Sequence, residues 1–379
     1  MIIGIDGNEA NVDKKVGIGE YAYELLLNFY KIASKREDLN FLIYLKEPPR
    51  SDMPVPATFW RYKVIGPKKL WTRFALPLGL FLEAKKPDVF FSPSHYGPGF
   101  SPIPSAISIM DLSFIYFPQL FAKKDLYQLT NWTRNSAARA RKIFTISKFS
   151  KDDIIKTYSK DSQDVIVTYP GIKPDLRFKN KDMSMDDLNK KFGIKRDYIL
   201  FVGTLQPRKN IERLIEAFSK LNPEKLKLKD SLQLVIVGKR GWLYEDILKA
   251  PEKYNVQDNV KFLDFVEDND LPSLYKNALC FVLPSLYEGF GLPVLEAMKN
   301  GCPVVTSNVS SLPEVGGDAA LYVNPEDCSD IAEKIEKIIS NQNLRNDLIK
   351  KGYEQVKKFS WEKTASKTLD VLQELGGKN

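Results

Sequence analysis

A chain of 379 residues, 43% apolar and 27% charged, exceeds one ordinary core and suits two globular domains. No apolar run approaches the ~18 residues of a spanning helix, no secretory leader is evident, and three scattered cysteines (Cys280, Cys302, Cys328) exclude a disulfide scaffold, so a reduced, cytoplasmic protein is expected. The net charge of +8 sits in the first half: residues 1–185 hold 28 Lys+Arg against 19 Asp+Glu, which fits either a solvated lysine-rich face or an anionic partner such as nucleic acid, a membrane or an acidic acceptor.

Residues 2–5 read as a buried strand, and residues 18–27 as a helix with apolar residues at helical spacing. Gly17 and Gly19 therefore stand at a strand-to-helix turn, the edge of a parallel sheet where ligands bind. Ala22 breaks the dinucleotide fingerprint Gly-x-Gly-x-x-Gly. Residues 41–45 form the next strand and residues 48–56 a proline-rich loop. Residues 68–82 begin basic and turn apolar; they read as a core helix kinked at Pro77 or as an interfacial membrane segment. Residues 88–91 and 106–110 are strands. The first leads into the loop of His95, the only histidine, and the second ends at Asp111. One histidine leaves no room for a His-rich metal site. Residues 126–141 read as a helix whose terminal cations complement its dipole. A strand follows at 142–147, then a helix capped by Ser147, then a strand over 165–172. Residues 173–191 are polar and lack periodicity, and are read as the interdomain linker.

The α/β rhythm restarts at residues 198–202. Gly203 opens a loop to residue 210, and residues 211–218 form an amphipathic helix. Arg208 and Lys209 thus stand just ahead of a helix N-terminus, where a guanidinium, an ammonium and free N–H groups suit a diphosphate. A strand at 232–238 closes on Gly238. Residues 260–266 lead through Val266 to a helix expected to be capped within residues 267–270. Residues 278–283 are a short buried strand, and residues 294–300 a helix with Pro293 in its first turn and Gly301 at its stop. The glycine-rich turn between them lets the backbone approach a ligand, and its helix start favours an anion. Glu288 in that turn and Glu296, eight residues on, offer two carboxylates to a polyhydroxylated ligand.

Glu288, Glu296, the Glu-Gly-Phe-Gly-Leu-Pro core and the Gly-Cys-Pro-Val-Val after it resemble family 4 of the retaining glycosyltransferases, the glycosyl transferases group 1. So do Phe-Val-Gly-Thr-Leu-Gln-Pro-Arg-Lys-Asn at residues 201–210 and Ser-Ser-Leu-Pro-Glu-Val-Gly-Gly-Asp-Ala-Ala at residues 310–320. The likeness is strong in the C-terminal half and weaker in the N-terminal half. It implies the α/β GT-B fold, two Rossmann-like domains facing each other across a cleft. The acceptor-binding domain would span residues 1–180 with a crossover helix at 361–379, and the nucleotide-sugar-binding domain residues 190–360.

The same resemblance implies roles. The turn at Gly17 and Gly19 approaches the donor's phosphates and sugar, Glu288 holds the transferred sugar, Glu296 the ribose and the Val266 loop the base. Gly203, Gly238, Gly289, Phe290, Gly291 and Leu292 complete the donor site. Arg208 and Lys209 stabilise the leaving diphosphate, so neither metal nor cofactor is expected. The chain departs from the family at three points. Val16 replaces one of the paired glycines. Thr204 stands where relatives often carry an arginine that Arg208 is expected to supply. Met110 replaces a histidine, leaving Asp111 as a catalytic candidate with Glu288, Arg208 and Lys209, and His95 as a candidate for the acceptor cleft.

The reaction expected is a metal-independent, retaining transfer of a hexose, mannose from GDP-mannose, to a saccharide or lipid-linked saccharide in cell-surface glycan synthesis. The protein would be cytoplasmic, with peripheral contact at the anionic inner face of the membrane and no nucleic-acid partner. The alternatives are a UDP-dependent glucosyl or N-acetylglucosaminyl transferase, a sugar epimerase of the same fold, and a non-catalytic protein binding nucleic acid or membrane through its basic surface. The broken fingerprint opposes a dinucleotide-dependent oxidoreductase.

Overall fold

Short runs such as Ile-Ile-Gly-Ile and Tyr-Ile-Leu-Phe-Val carry apolar side chains on both faces of a strand, which suits parallel sheets covered on both sides. A computed structural model describes residues 1–172, 183–195, 197–222, 226, 228 and 232–377. It divides into two units, Met1–Gly171 with Ser360–Asn379, and Ile172–Phe359.

The first unit holds β1 (Ile2–Asp6), β2 (Asn40–Leu45), β3 (Trp60–Val64), β4 (Val89–Ser92), β5 (Ser105–Ser108), β6 (Lys142–Thr145) and β7 (Val165–Val167). They pair in the order β3-β2-β1-β4-β5-β6-β7, every neighbour parallel, with Ile3 of β1 opposite both Phe41 and Val89. The helix Ile18–Ala33 and the C-terminal helix Trp361–Gly376 cover one face, sharing a core of Ala22, Leu25, Phe29, Ala365, Leu369 and Leu372. The second unit holds β8 (Tyr198–Val202), β9 (Gln233–Val237), β10 (Val260–Leu263), β11 (Cys280–Leu283), β12 (Val304–Ser307) and β13 (Ala320–Val323). Their order is β10-β9-β8-β11-β12-β13, again all parallel. Among the described residues, no helix is long and apolar enough to cross a membrane.

Four local readings are corrected. β3 is a strand where none was expected. It is an edge strand whose alternating Arg61 and Lys63 stay partly exposed, so it lacks the apolar run that marks its neighbours. Pro77 does not kink a long helix: the helix is Ala75–Phe81, and Pro77 is its third residue, where a missing N–H costs nothing. The linker over residues 173–191 lies partly outside the described residues, and its described end is ordered. Met185–Phe192 is a helix, opened by a reciprocal capping box between Ser184 and Asp187 and closed by Gly193 at φ 65°. Finally, Asp270 does not cap Leu271–Asn277; its buried carboxylate receives Lys191 at 2.8 Å instead.

Candidate active site

Each sheet reverses its strand order once, between β1 and β4 in the first and between β8 and β11 in the second. Loops leaving the carboxyl ends of such a pair diverge and open a ligand crevice. In the second sheet, residues 203–210 leave β8 and residues 284–291 leave β11.

Glu288 is the buried centre of these loops. Its Oε1 accepts hydrogen bonds from Lys209 Nζ at 2.5 Å and Ser285 Oγ at 2.7 Å, and its Oε2 accepts from Arg208 Nη1 at 3.0 Å. Arg208 also donates to the Tyr287 carbonyl at 2.5 Å. Burial pushes the Glu288 carboxyl up, but the charges of Lys209 and Arg208 and the donors Lys209 and Ser285 outweigh it and hold the pKa at about 2. Two cations therefore share one carboxylate in a desolvated setting.

The loops are tied together by residues whose roles the motif reading did not assign. Asn210 takes the left-handed conformation at φ 60°, and its side-chain amide donates to the carbonyls of Pro284 at 2.9 Å and Pro325 at 2.6 Å. Leu286 N–H donates to the Arg208 carbonyl at 2.9 Å. The Ser311 hydroxyl lies 2.9 Å from the Glu288 carbonyl oxygen and 2.8 Å from that of Phe290, and Ser310 Oγ accepts from Glu288 N–H at 3.0 Å. Gly289 and Phe290 are buried within this turn, with Phe290 edge-on to Phe359 at 5.5 Å. Gly291 precedes the helix Leu292–Lys299 at φ 106°, and a Cβ there would sit 2.8 Å from Leu312. Leu292 is the helix's first residue. A Cβ on Gly238 would fall 1.9 Å from the Gly203 carbonyl oxygen, so the loops after β8 and β9 meet backbone to backbone. Glu296 is half-buried and accepts from Tyr275 Oη at 3.0 Å. Val266 is buried beside the exposed Phe265, whose ring lies 4.5 Å from Lys239 Nζ.

In the first unit, β1 ends on Asp6. Its buried carboxylate accepts from the backbone N–H and the amide of Asn8, at 3.1 and 2.6 Å. Burial raises its pKa to about 6, against the pull of Asn8 and Lys46. Gly17, at φ 54°, precedes the helix Ile18–Ala33, and a Cβ on Gly19 would lie 3.0 Å from the Glu9 carbonyl oxygen. His95 follows β4. Its Nε2 accepts from Met110 N–H at 3.1 Å, which requires the proton of the neutral ring on Nδ1. Burial drives its pKa down against the attraction of Asp111. Nδ1 is buried and makes no hydrogen bond among the described residues. Asp111 accepts from Ser113 N–H at 2.8 Å. The fold thus brings the single histidine beside position 110, where the chain itself carries methionine.

Residues 184–355 match the model of the family described as glycosyl transferases group 1. The chain is 34% identical over 263 residues to an Escherichia coli protein named O-antigen chain mannosyltransferase B, covering 69% of this chain and 68% of that one. It is 35% identical over 242 residues to the serotype-specific mannosyltransferase WbdA of Escherichia coli, spanning 62% of this chain but only 29% of the much longer WbdA. The fold is similar to that of the solved Anabaena protein Alr3699/HepE in complex with UDP-glucose, with TM-score 0.72 and 18% identity over 99% of both chains.

Proposed function

The chain belongs to the glycosyl transferases group 1 and is a hexosyltransferase of the GT-B fold class, and on that premise we propose that it transfers mannose from GDP-mannose, with retention and without a metal, to a saccharide or lipid-linked saccharide in cell-surface glycan synthesis. The donor reading is carried by the likeness, over two thirds of both chains, to a protein named as an O-antigen mannosyltransferase.

The chemistry follows from the Arg208–Lys209–Glu288 cluster. The donor's diphosphate lies against Arg208 and Lys209, a guanidinium and an ammonium just ahead of a helix start. As the bond from the sugar's anomeric carbon to the phosphate oxygen breaks, negative charge grows on that oxygen, and Arg208 and Lys209 stabilise it where water is excluded. The acceptor hydroxyl forms the new bond on the same face, and its proton passes to the departing phosphate oxygen. Glu288, ionised at neutral pH, accepts from the sugar's hydroxyls, and Glu296 from those of the ribose. In the first unit, His95, bonded to Met110 N–H, belongs to the acceptor side, with Asp111 as a further polar group.

Calorimetry with GDP-mannose, UDP-glucose and UDP-N-acetylglucosamine, with and without Mg²⁺, tests this on wild type and Glu296→Ala. Binding of GDP-mannose alone, unchanged by Mg²⁺ and weakened in the variant, is the expected result. Binding of a UDP-sugar instead would favour the second reading, for which the fold likeness to a UDP-glucose complex speaks. Binding that appears only with Mg²⁺ would overturn the metal-free reading.

A further inference from the structure

A cavity of about 590 Å³ opens between the helix Ile211–Ser219 and the helix Glu245–Lys253 of the second unit. That volume falls within the ~300–1,000 Å³ of small-molecule sites. Arg208, Lys209, Glu288 and Glu296 do not line it, so it is distinct from the crevice described above. Its apolar part comes from the buried Ile211 and Ile247, with Leu286 and Leu243 beside them. Leu243 is 54% exposed and stands at φ 54°, a left-handed backbone that leucine resists. Folding gains nothing from strain that leaves an apolar group in water, and such outliers cluster where ligands bind.

The polar part is nearly balanced in charge. Glu212 is paired with Lys253 at 2.7 Å, Glu216 with Lys220 at 2.9 Å and Asp246 with Lys249 at 3.6 Å. Tyr254 Oη donates to Glu216 at 3.2 Å. Arg213 has no carboxylate partner; among the described residues its guanidinium donates to Asn210 Oδ1 alone, at 3.1 Å.

We infer that this cavity is a second, non-catalytic site that holds a neutral oligosaccharide. Three carboxylates matched by three lysines leave only Arg213 in excess, the wrong sign for a cation and too little charge to select a polyanion. Ion-paired carboxylates keep spare lone pairs and Arg213 keeps spare N–H groups, so the rim offers acceptors and donors to hydroxyl groups. Ile211, Leu243 and Ile247 meet the C–H face of a sugar ring. The ligand class rests on the saccharide reading of the acceptor; the cavity itself does not. Pro207 and Asn210 line it on either side of Arg208 and Lys209 in the chain, and Leu286 N–H donates to the Arg208 carbonyl at 2.9 Å. A glycan held here rests against the two loops that carry Arg208, Lys209 and Glu288, and stays with the enzyme between transfers.

The test is calorimetry of the full chain with mannotriose, maltotriose and chitotriose, with hydrogen exchange to place the bound sugar. Mannotriose should bind, and should slow exchange in the helices Ile211–Ser219 and Glu245–Lys253. Leu243→Gly/Asp246→Ala removes an exposed apolar group and an exposed carboxylate while glycine relaxes the backbone at residue 243, and the affinity should fall about tenfold. Arg213→Gln should also lower it about tenfold. The double variant should melt and bind GDP-mannose like wild type. Failure of wild type to bind GDP-mannose would sink the donor reading and leave this site to the trisaccharide result. Binding of maltotriose or chitotriose in place of mannotriose, at the same two helices, would support the site and count against mannose. The inference is overturned if no trisaccharide binds, if the slowed amides are confined to the first unit, or if both variants bind as tightly as wild type.

Discussion

Two buried carboxylates of this protein have pKa values displaced in opposite directions, Glu288 down and Asp6 up. Glu288 has its pKa lowered from 4.5 to about 2, net of a burial effect that opposes the shift. Its contribution to stability is fully present above about pH 4.5 and is lost as pH falls towards 2, about 3 kcal/mol in all. Asp6 has its pKa raised from 3.8 to about 6, mainly by burial. The native state then holds a proton that the unfolded chain has released, so stability falls by about 3 kcal/mol as pH rises from about 4 to 6. Urea unfolding across pH 2 to 8 separates the two on the order of those magnitudes. Asp6→Asn should abolish the decline between pH 4 and 6 and leave the chain more stable at neutral pH. Glu288→Gln should flatten the acid limb and leave it less stable. An Asp6→Asn profile parallel to that of wild type would sink the assignment. At the same scale, the proposed reaction uses Lys209 to stabilise the departing diphosphate, so Lys209→Ala should lower kcat by about 10²–10³-fold. A much smaller change in kcat, with the loss confined to KM, would show that Lys209 only binds the donor. Glu288, Arg208 and Lys209 were all legible as site candidates. Their mutual ion pairing was not, because residues 208 and 288 are brought together only by the pairing of β8 with β11.

Asn210 joins two elements at one residue. It ends the turn after β8 in the left-handed conformation, begins the helix Ile211–Ser219, and reaches across to two carbonyls beyond β11 and β13. Asn210→Gly should keep the backbone relaxed and lose the bonds to two buried carbonyls, costing about 2–4 kcal/mol. Asn210→Ala should cost about 1 kcal/mol more, because alanine resists a positive φ. Equal destabilisation of both variants would mean that the conformation carries no strain. Helices and strands with clean periodicity, such as Ile211–Ser219 and β8, were legible because burial on a fixed face dictates their residues. Elements set by local polar chemistry were not. Ser184 and Asp187 wrote a capping signature into a stretch that looked featureless. Asp270 sat where a cap was expected, yet bonds Lys191 from a distant part of the chain. The apolar half of residues 68–82 could be read as core or as an interfacial segment, and the helix Ala75–Phe81 divides it into a buried and an exposed side.

The first unit is assembled from two stretches of chain far apart in sequence. Trp361 packs edge-on to Tyr21 at 5.9 Å, Thr364 Oγ1 donates to the Tyr169 carbonyl, and a Cβ on Gly171 would collide with the Trp361 backbone. Ala365, Leu369 and Leu372 are fully or almost fully buried against the helix Ile18–Ala33. A C-terminal helix returning to the first domain was expected from the resemblance. Its apolar spacing alone could not say which sheet it covers, since either sheet offers an apolar face. The contacts make a regional prediction. Leu369→Ala leaves a cavity in the first unit and should cost about 2–5 kcal/mol there. Hydrogen exchange reads the effect by location, because local stability varies along a chain. Amides of β1, β2 and the helix Ile18–Ala33 should lose protection by a factor matching that energy, although residue 369 is remote from them in sequence. Amides of β8, β11 and β12 should keep theirs, and a saturating nucleotide sugar should raise protection in that second set through binding linkage. Equal loss in both sets would mean that the two units do not open as separate bodies. Loss in the second set alone would place the helix in the wrong unit.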